Sequence, residues 1–278
     1  MIDLNRLAIE TLAEEVERHY AEDYGLQSPE YPRIASWAVR TALSIIANTD
    51  ALYHNVDHTA KVVLVGQEIL RGKQQIDGGV SASDWLHFTV ALACHDIGYV
   101  RGLCSRDGQG VYATGVGDEI VELGRGVTDA ALTPYHVDRG VHFVLNRFAG
   151  TPVLDAARIA ELIERTRFPV PSDDDHSGTD DYPGLLRGAD LIGQMADPQY
   201  LQKLAALFYE FEETGVNAKL DYHSPDDLRD GYPRFFWNAV HPFLGPSLKY
   251  LQATPGGRDW VNNLYSHVFA VEHALHLR

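Results

Sequence analysis

Two histidines and two aspartates, scattered over nearly half of the chain, restrict its fold most. His58 closes the hexapeptide Y-H-N-V-D-H (Tyr53 to His58), His95 and Asp96 form a doublet in A-L-A-C-H-D-I-G, and Asp190 stands far downstream in L-L-R-G-A-D-L-I-G. Each lies in or beside an apolar stretch with helical periodicity. Isolated carboxylates are costly to bury, and buried charges are paired or bind metals. A fold that sinks Asp96 and Asp190 into helix-packed interior must therefore bring compensating groups to them, and the two histidines are of the right kind. His54 precedes His58 by four residues, a spacing that on a helix places both rings on one face.

The flanking periodicity predicts helices over 4–24, from Tyr31-Pro32 to about residue 46, over 53–77 carrying both His54 and His58, and from a Ser81–Asp84 cap through Asp96. The last is apolar nearly all round and is expected at the centre of the molecule. Residues 101–133 differ: they are rich in glycine, with short β-capable runs in V-Y-A-T-G-V-G-D-E-I-V-E-L-G, and predict a β-hairpin or an ordered loop. Helices are expected again over 133–148, 155–167, 184–195, 198–214, 233–253 and 258–276, with an acidic loop at 168–184. The expectation is one all-α domain over 1–278, with 101–133 as an irregular insertion that begins at the site mouth and acts as a lid or an oligomer arm.

Composition removes several classes of function. Net charge is −16, from 39 acidic against 23 basic residues, which disfavours a grip on a nucleic-acid backbone or an anionic membrane. No apolar run is long enough to span a bilayer, and no basic-then-apolar leader opens the chain. Two cysteines, Cys94 and Cys104, make no disulfide framework. A cytoplasmic location follows as the expectation. The acidic loop lacks a glutamate at the twelfth position of a calcium loop, where Gly184 stands. His267, His273 and His276 suit a solvated terminal helix better than a metal site.

Two imidazoles and two carboxylates suit a borderline divalent ion: Zn, Fe or Mn by donor type, with Mg also a candidate. Such an ion lowers the pKa of its water toward neutrality and makes an attacking hydroxide available. The order H…HD…D resembles the signature of the HD-domain metal-dependent phosphohydrolases. Y-H-N-V-D-H, Gly188 to Leu191, L-F-Y-E-F-E-E-T-G (Leu207 to Gly215) and A-V-H-P-F-L (Ala239 to Leu244) are similar, in order, to segments of the class I cyclic-nucleotide phosphodiesterases. The likeness covers roughly residues 50–265 outside the insertion. It implies an HD/PDEase-like helical bundle acting on a small phosphate ester or diester, a nucleotide or cyclic nucleotide among the candidates. His58, His95, Asp96 and Asp190 would bind one metal, with Asp96 reaching toward a second, and His54 would be the general acid. His136 would sit near the second metal or the phosphate, and Asn55, Tyr232 and Phe235 near the substrate. The chain departs from the pattern at Tyr99, where the family's H-D-x-x-H has its last histidine, at Thr133, near a usual glutamate, and at Tyr232, in place of a purine-reading glutamine. A di-iron oxygenase or a nucleotide sensor on the same scaffold are the alternatives. Oxygen consumption with ferrous iron would favour the first, and tight nucleotide binding without hydrolysis the second.

Overall fold

The computed structural model describes residues 2–276, so the ends of the expected 1–278 domain lie outside the described residues. Helix α1 (Leu4–Tyr24) is capped by Asp3, whose side chain accepts from the Arg6 N–H, and packs on α2 (Tyr31–Ile46). Helix α3 (Val56–Ile76) follows, then α4 (Ala82–Cys94), opened by the expected cap: the Ser81 and Asp84 side chains each bond to the other's backbone N–H. Trp85 through Cys94 are all buried, so α4 is the central helix its composition predicts. Burying each Leu, Val or Phe of this kind contributes about 1.5–3 kcal/mol.

The insertion contains an antiparallel hairpin, β1 (Val111–Ala113) with β2 (Ile120–Glu122), in the register Val111↔Glu122, Tyr112↔Val121, Ala113↔Ile120. A 3-10 segment (Asp129–Tyr135) leads into α5 (His136–Phe148), followed by α6 (Ala156–Glu164), α7 (Tyr182–Met195), α8 (Tyr200–Glu213) and the short α9 (Val216–Leu220). The fold is all-α with a small β insertion. One apolar core runs through residues from α1 to the last helix. Among the described residues no helix is long and apolar enough to cross a membrane.

Two expectations need correction. The helix predicted over 53–77 starts only at Val56, because Asn55 takes the N-cap position and its side chain accepts from the Asp57 and His58 N–H groups; His54 lies on the extended approach to α3. The helix predicted over 233–253 is broken. Helix α10 (Pro225–Phe235), capped by Ser224, passes into a π-helical turn (Phe236–Val240) and a 3-10 turn (His241–Phe243) before α11 (Gly245–Leu251) and α12 (Pro255–His276). Pro242 and Pro246 lack the N–H that a continuous helix needs, and their rings clash with carbonyls one turn back.

Two close backbone approaches bring the site together. A Cβ on Gly193 would lie 2.9 Å from Val62 Cα, so α7 and α3 nearly touch there. His58 stands one turn from Val62, and Asp190 one turn from Gly193, which sets ring and carboxylate opposite each other. A Cβ on Gly98 would lie 1.8 Å from the His136 carbonyl oxygen, so only glycine lets the turn after His95-Asp96 rest on the start of α5.

The insertion is fastened to the helical body. Arg139 of α5 is fully buried; its guanidinium donates to the Gly98, Val100 and Ala113 carbonyls and to both oxygens of buried Asp107 (3.2 and 2.8 Å). Arg101 pairs with Asp129 and Asp50, and the Thr128 N–H donates to Glu213 at 2.8 Å. Removing one partner of a buried pair leaves the other uncompensated, at about 3–5 kcal/mol. Arg139→Leu is therefore expected to lower unfolding free energy by about that much in urea titrations; a loss under about 1 kcal/mol would show that Asp107 finds water or another donor.

Candidate functional site

Four elements deliver four donors to one point. His58 comes from the first turn of α3, His95 from the C-cap of α4, Asp96 from the turn after it and Asp190 from the middle of α7. His58 Nε2 lies 3.2 Å from Asp96 Oδ2 and 3.3 Å from Asp190 Oδ1; His95 Nε2 lies 3.1 and 3.4 Å from the same atoms. These contacts are close, yet His58 Nε2, His95 Nε2 and Asp96 Oδ2 are buried without a hydrogen-bond partner. Polar atoms that crowd together without bonding are the arrangement a shared cation requires. Ligand bonds of about 2.0–2.2 Å separate neighbouring donors by roughly 3.0–3.4 Å, so each of these four His–Asp spacings fits a pair of neighbouring donors on a divalent ion. His58, His95 and Asp190 alone form a three-donor group with ligand atoms within 4.8 Å of one another.

The backbone sets the tautomers. His95 Nδ1 is 2.8 Å from the Leu92 carbonyl, and a carbonyl can only accept. Nδ1 therefore carries the hydrogen, and the Nε2 lone pair points at the carboxylates. His136 repeats the device: Nδ1 donates to the Thr133 carbonyl at 2.6 Å, and Nε2 faces Asp96 Oδ1 at 3.8 Å. Burial pushes the pKa of His136 down, against the pull of Asp96. Burial likewise opposes charge on His95, but Asp96 and Asp190 outweigh it and hold the ring above its ordinary value. Burial would raise Asp96 and Asp190; the facing histidines win, keeping Asp96 well below the usual carboxylate range and Asp190 at about 2.

His54 is held from another direction. Its Nδ1 donates to Glu210 Oε2 at 2.6 Å, while Glu210 Oε1 accepts the Tyr53 N–H at 2.6 Å and the His54 N–H at 3.3 Å. Desolvation lowers the pKa of His54, but Glu210, by charge and hydrogen bond, raises it to about 9. The His54 and His58 rings meet edge to face at 5.5 Å, so the proton-bearing ring borders the donor group. Tyr99 fits between His54 and His136, stacked on both at 4.5 and 4.4 Å.

The predicted site residues thus divide. His54, His58, His95, Asp96, Tyr99, His136 and Asp190 come together. Asn55 does not present its side chain as a pocket group: its oxygen caps α3 and its amide donates to the Leu52 carbonyl at 3.1 Å. Tyr232 is buried against Tyr200 and Phe236. Phe235 packs on Phe168 at 5.7 Å, on α10. His267 donates to the Met195 carbonyl, and His273 stacks on Phe269, so neither joins the donor group. Sequence reading missed Glu210. Its segment, Leu207 to Gly215, holds three glutamates, and only the rotation of α8 selects one: Glu212 binds Asn217 and Glu213 binds Thr128.

A family model described as Npun_R2479-like matches residues 2–274. The chain belongs to the Npun_R2479-like family. No curated protein matches it. In this Npun_R2479-like chain the matched stretch takes in every residue of the donor group and Glu210.

The His54–Glu210 pair makes a sign-specific expectation for the metal-free protein. A folded pKa near 9 lies above the unfolded value of about 6.5. The pair's contribution is full below about pH 6.5 and lost as pH rises through about 9. Glu210→Gln should move the NMR titration of the His54 ring down, leaving burial opposed only by the charges of Asp96 and Asp190. An unchanged titration would mean that Glu210 does not hold the proton.

Proposed function

We propose that the protein is a metal-dependent phosphohydrolase acting on a small phosphate ester or diester, related to the HD-domain superfamily. The observation that supports this most is the pairing of a four-donor cradle with an imidazole whose proton is secured by a buried carboxylate beside it. The order H…HD…D, carried by His58, His95-Asp96 and Asp190, agrees with that reading.

When bound, the divalent ion would supply Lewis acidity and acidify its water. The chain's own residues do the rest. His58, His95, Asp96 and Asp190 would hold the ion, with the His95 ring aimed by the Leu92 carbonyl. His136, neutral at Nε2, offers a lone pair beside Asp96 Oδ1 and can accept a proton from an attacking water. His54, charged through Glu210, gives its Nε2 proton to the departing alkoxide. Glu210 keeps the ring oriented before and after that transfer. The insertion, pinned by Arg139 and Arg101, serves as a fixed wall near the site.

Two variants test the reading. Asp190→Ala should lower bound metal, by elemental analysis, together with phosphoesterase activity; full metal occupancy would remove Asp190 from the ligand set. His54→Ala should keep its metal and helical circular dichroism but lose about a hundred- to ten-thousand-fold in kcat on esters with poor leaving groups. On p-nitrophenyl phosphate the loss should be much smaller, because that leaving group scarcely needs a proton. Equal losses on both substrates would contradict the proton-donor role.

A further inference from the structure

We infer that the centre takes a single divalent ion, because Tyr99 and Thr133 fill the space beside Asp96 Oδ1 with a neutral, non-ligating pair. The inference rests on the metal-dependent reading above and adds the nuclearity of the site.

Three observations carry it. The first is the supply of free negative charge. Three carboxylates face the histidines of the site: Asp96 and Asp190 lie against His58 and His95, and Glu210 lies against His54. Glu210 already accepts from the His54 ring and from two backbone N–H groups, which leaves Asp96 and Asp190 to face a cation. Two carboxylates match one divalent ion. A second would bring two uncompensated positive charges into a largely buried site, where desolvation is costly.

The second is the supply of ligand atoms. The outer oxygen of Asp96, Oδ1, faces His136 Nε2 at 3.8 Å. That is one carboxylate oxygen and one imidazole, short of a protein cage for a second ion. The third is what stands beside them. The Tyr99 ring is buried and fixed between two imidazoles, at 4.5 Å and 13° to His54 and at 4.4 Å and 22° to His136. The Thr133 hydroxyl donates to the Ala130 carbonyl at 2.6 Å. The Thr133 carbonyl is taken by His136 Nδ1. The hydroxyl and the carbonyl of Thr133 are thus both engaged within the protein, and Tyr99 offers a phenol where a ligand would need an imidazole or a carboxylate.

The test is metal stoichiometry, read without reference to turnover. Chelator-stripped wild-type protein is dialysed against Mn²⁺ or Zn²⁺ in excess, desalted and assayed by elemental analysis. The Mn²⁺ form is also examined by electron paramagnetic resonance. One ion per chain and an isolated six-line Mn²⁺ spectrum are expected. Tyr99→Phe should keep that count, since it keeps the stacked ring. Tyr99→His/Thr133→Glu, which supplies an imidazole and a carboxylate at the same two positions, should bind two ions per chain with exchange-coupled spectra. Two ions in the wild type would overturn the inference and leave the hydrolase reading standing. No retained ion would overturn both. One ion without phosphoesterase activity would uphold the single site and remove the hydrolase reading.

Discussion

The packing of buried Asp96 and partly buried Asp190 against two imidazoles is the constraint from which the rest of the arrangement follows. Among the described residues neither carboxylate has an arginine or lysine partner; each faces His58 and His95 instead. Elsewhere the chain meets the same cost with permanent cations: Arg139 on Asp107, Arg101 on Asp129, and Lys61 with Lys203 on Asp197. Histidine compensation differs in kind. A neutral imidazole offers a lone pair, so two rings and two carboxylates make a set of four acceptors directed at one another. With both rings neutral such a set is repulsive, and a bound cation, or a proton on His95, makes it favourable. This is why unpartnered Nε2 and Oδ2 atoms in close contact weigh more than the distances alone.

The donor residues were legible in sequence because this cost is local. An aspartate or histidine inside an apolar helical run announces an unmet need whatever the rest of the chain does, and His58, His95, Asp96 and Asp190 each stand in such a run. The layout of most helices was legible for the same reason, since α1, α2, α4 and α7 each show their buried face as an apolar stripe or a continuous run. The C-terminal break was visible too, in Pro242 and Pro246, but the apolar period masked it.

What could not be read is set by distant parts of the chain. Glu210 and Glu213 are a helical turn apart in one acidic segment, and propensity treats them alike. Only the docking of α8 decides which glutamate meets His54 and which meets Thr128. Asp107 lies in a glycine-rich loop, where an aspartate ordinarily caps a turn in solvent. Its burial under Arg139 depends on the hairpin folding back onto α5. The pocket roles expected of Asn55 and Tyr232 fail to appear for a related reason. One side chain was needed to start α3 and the other to fill the core beside Tyr200.

The late start of α3 is itself part of the site. Had the helix begun at Tyr53, His54 would have been committed to a helical backbone, its ring a full turn from His58 on the same face. Asn55 caps the helix instead, so Tyr53 and His54 lie on the extended approach and their N–H groups must find an acceptor outside α3. Glu210 supplies one, binding both N–H groups through one oxygen and the imidazole through the other. A single carboxylate thereby fixes the backbone that carries the ring, the direction of the ring and its charge. The anchor comes from α8, which is held to the first turn of α3 by Lys203 on Asp57 and to the end of α7 by Lys203 on Asp197. Lys203 and Glu210 are two turns apart on one face of α8. The placement of the proton relative to the four donors is thus a tertiary property, set by how α8 seats against α3 and α7 rather than by the Y-H-N-V-D-H segment that contains both histidines.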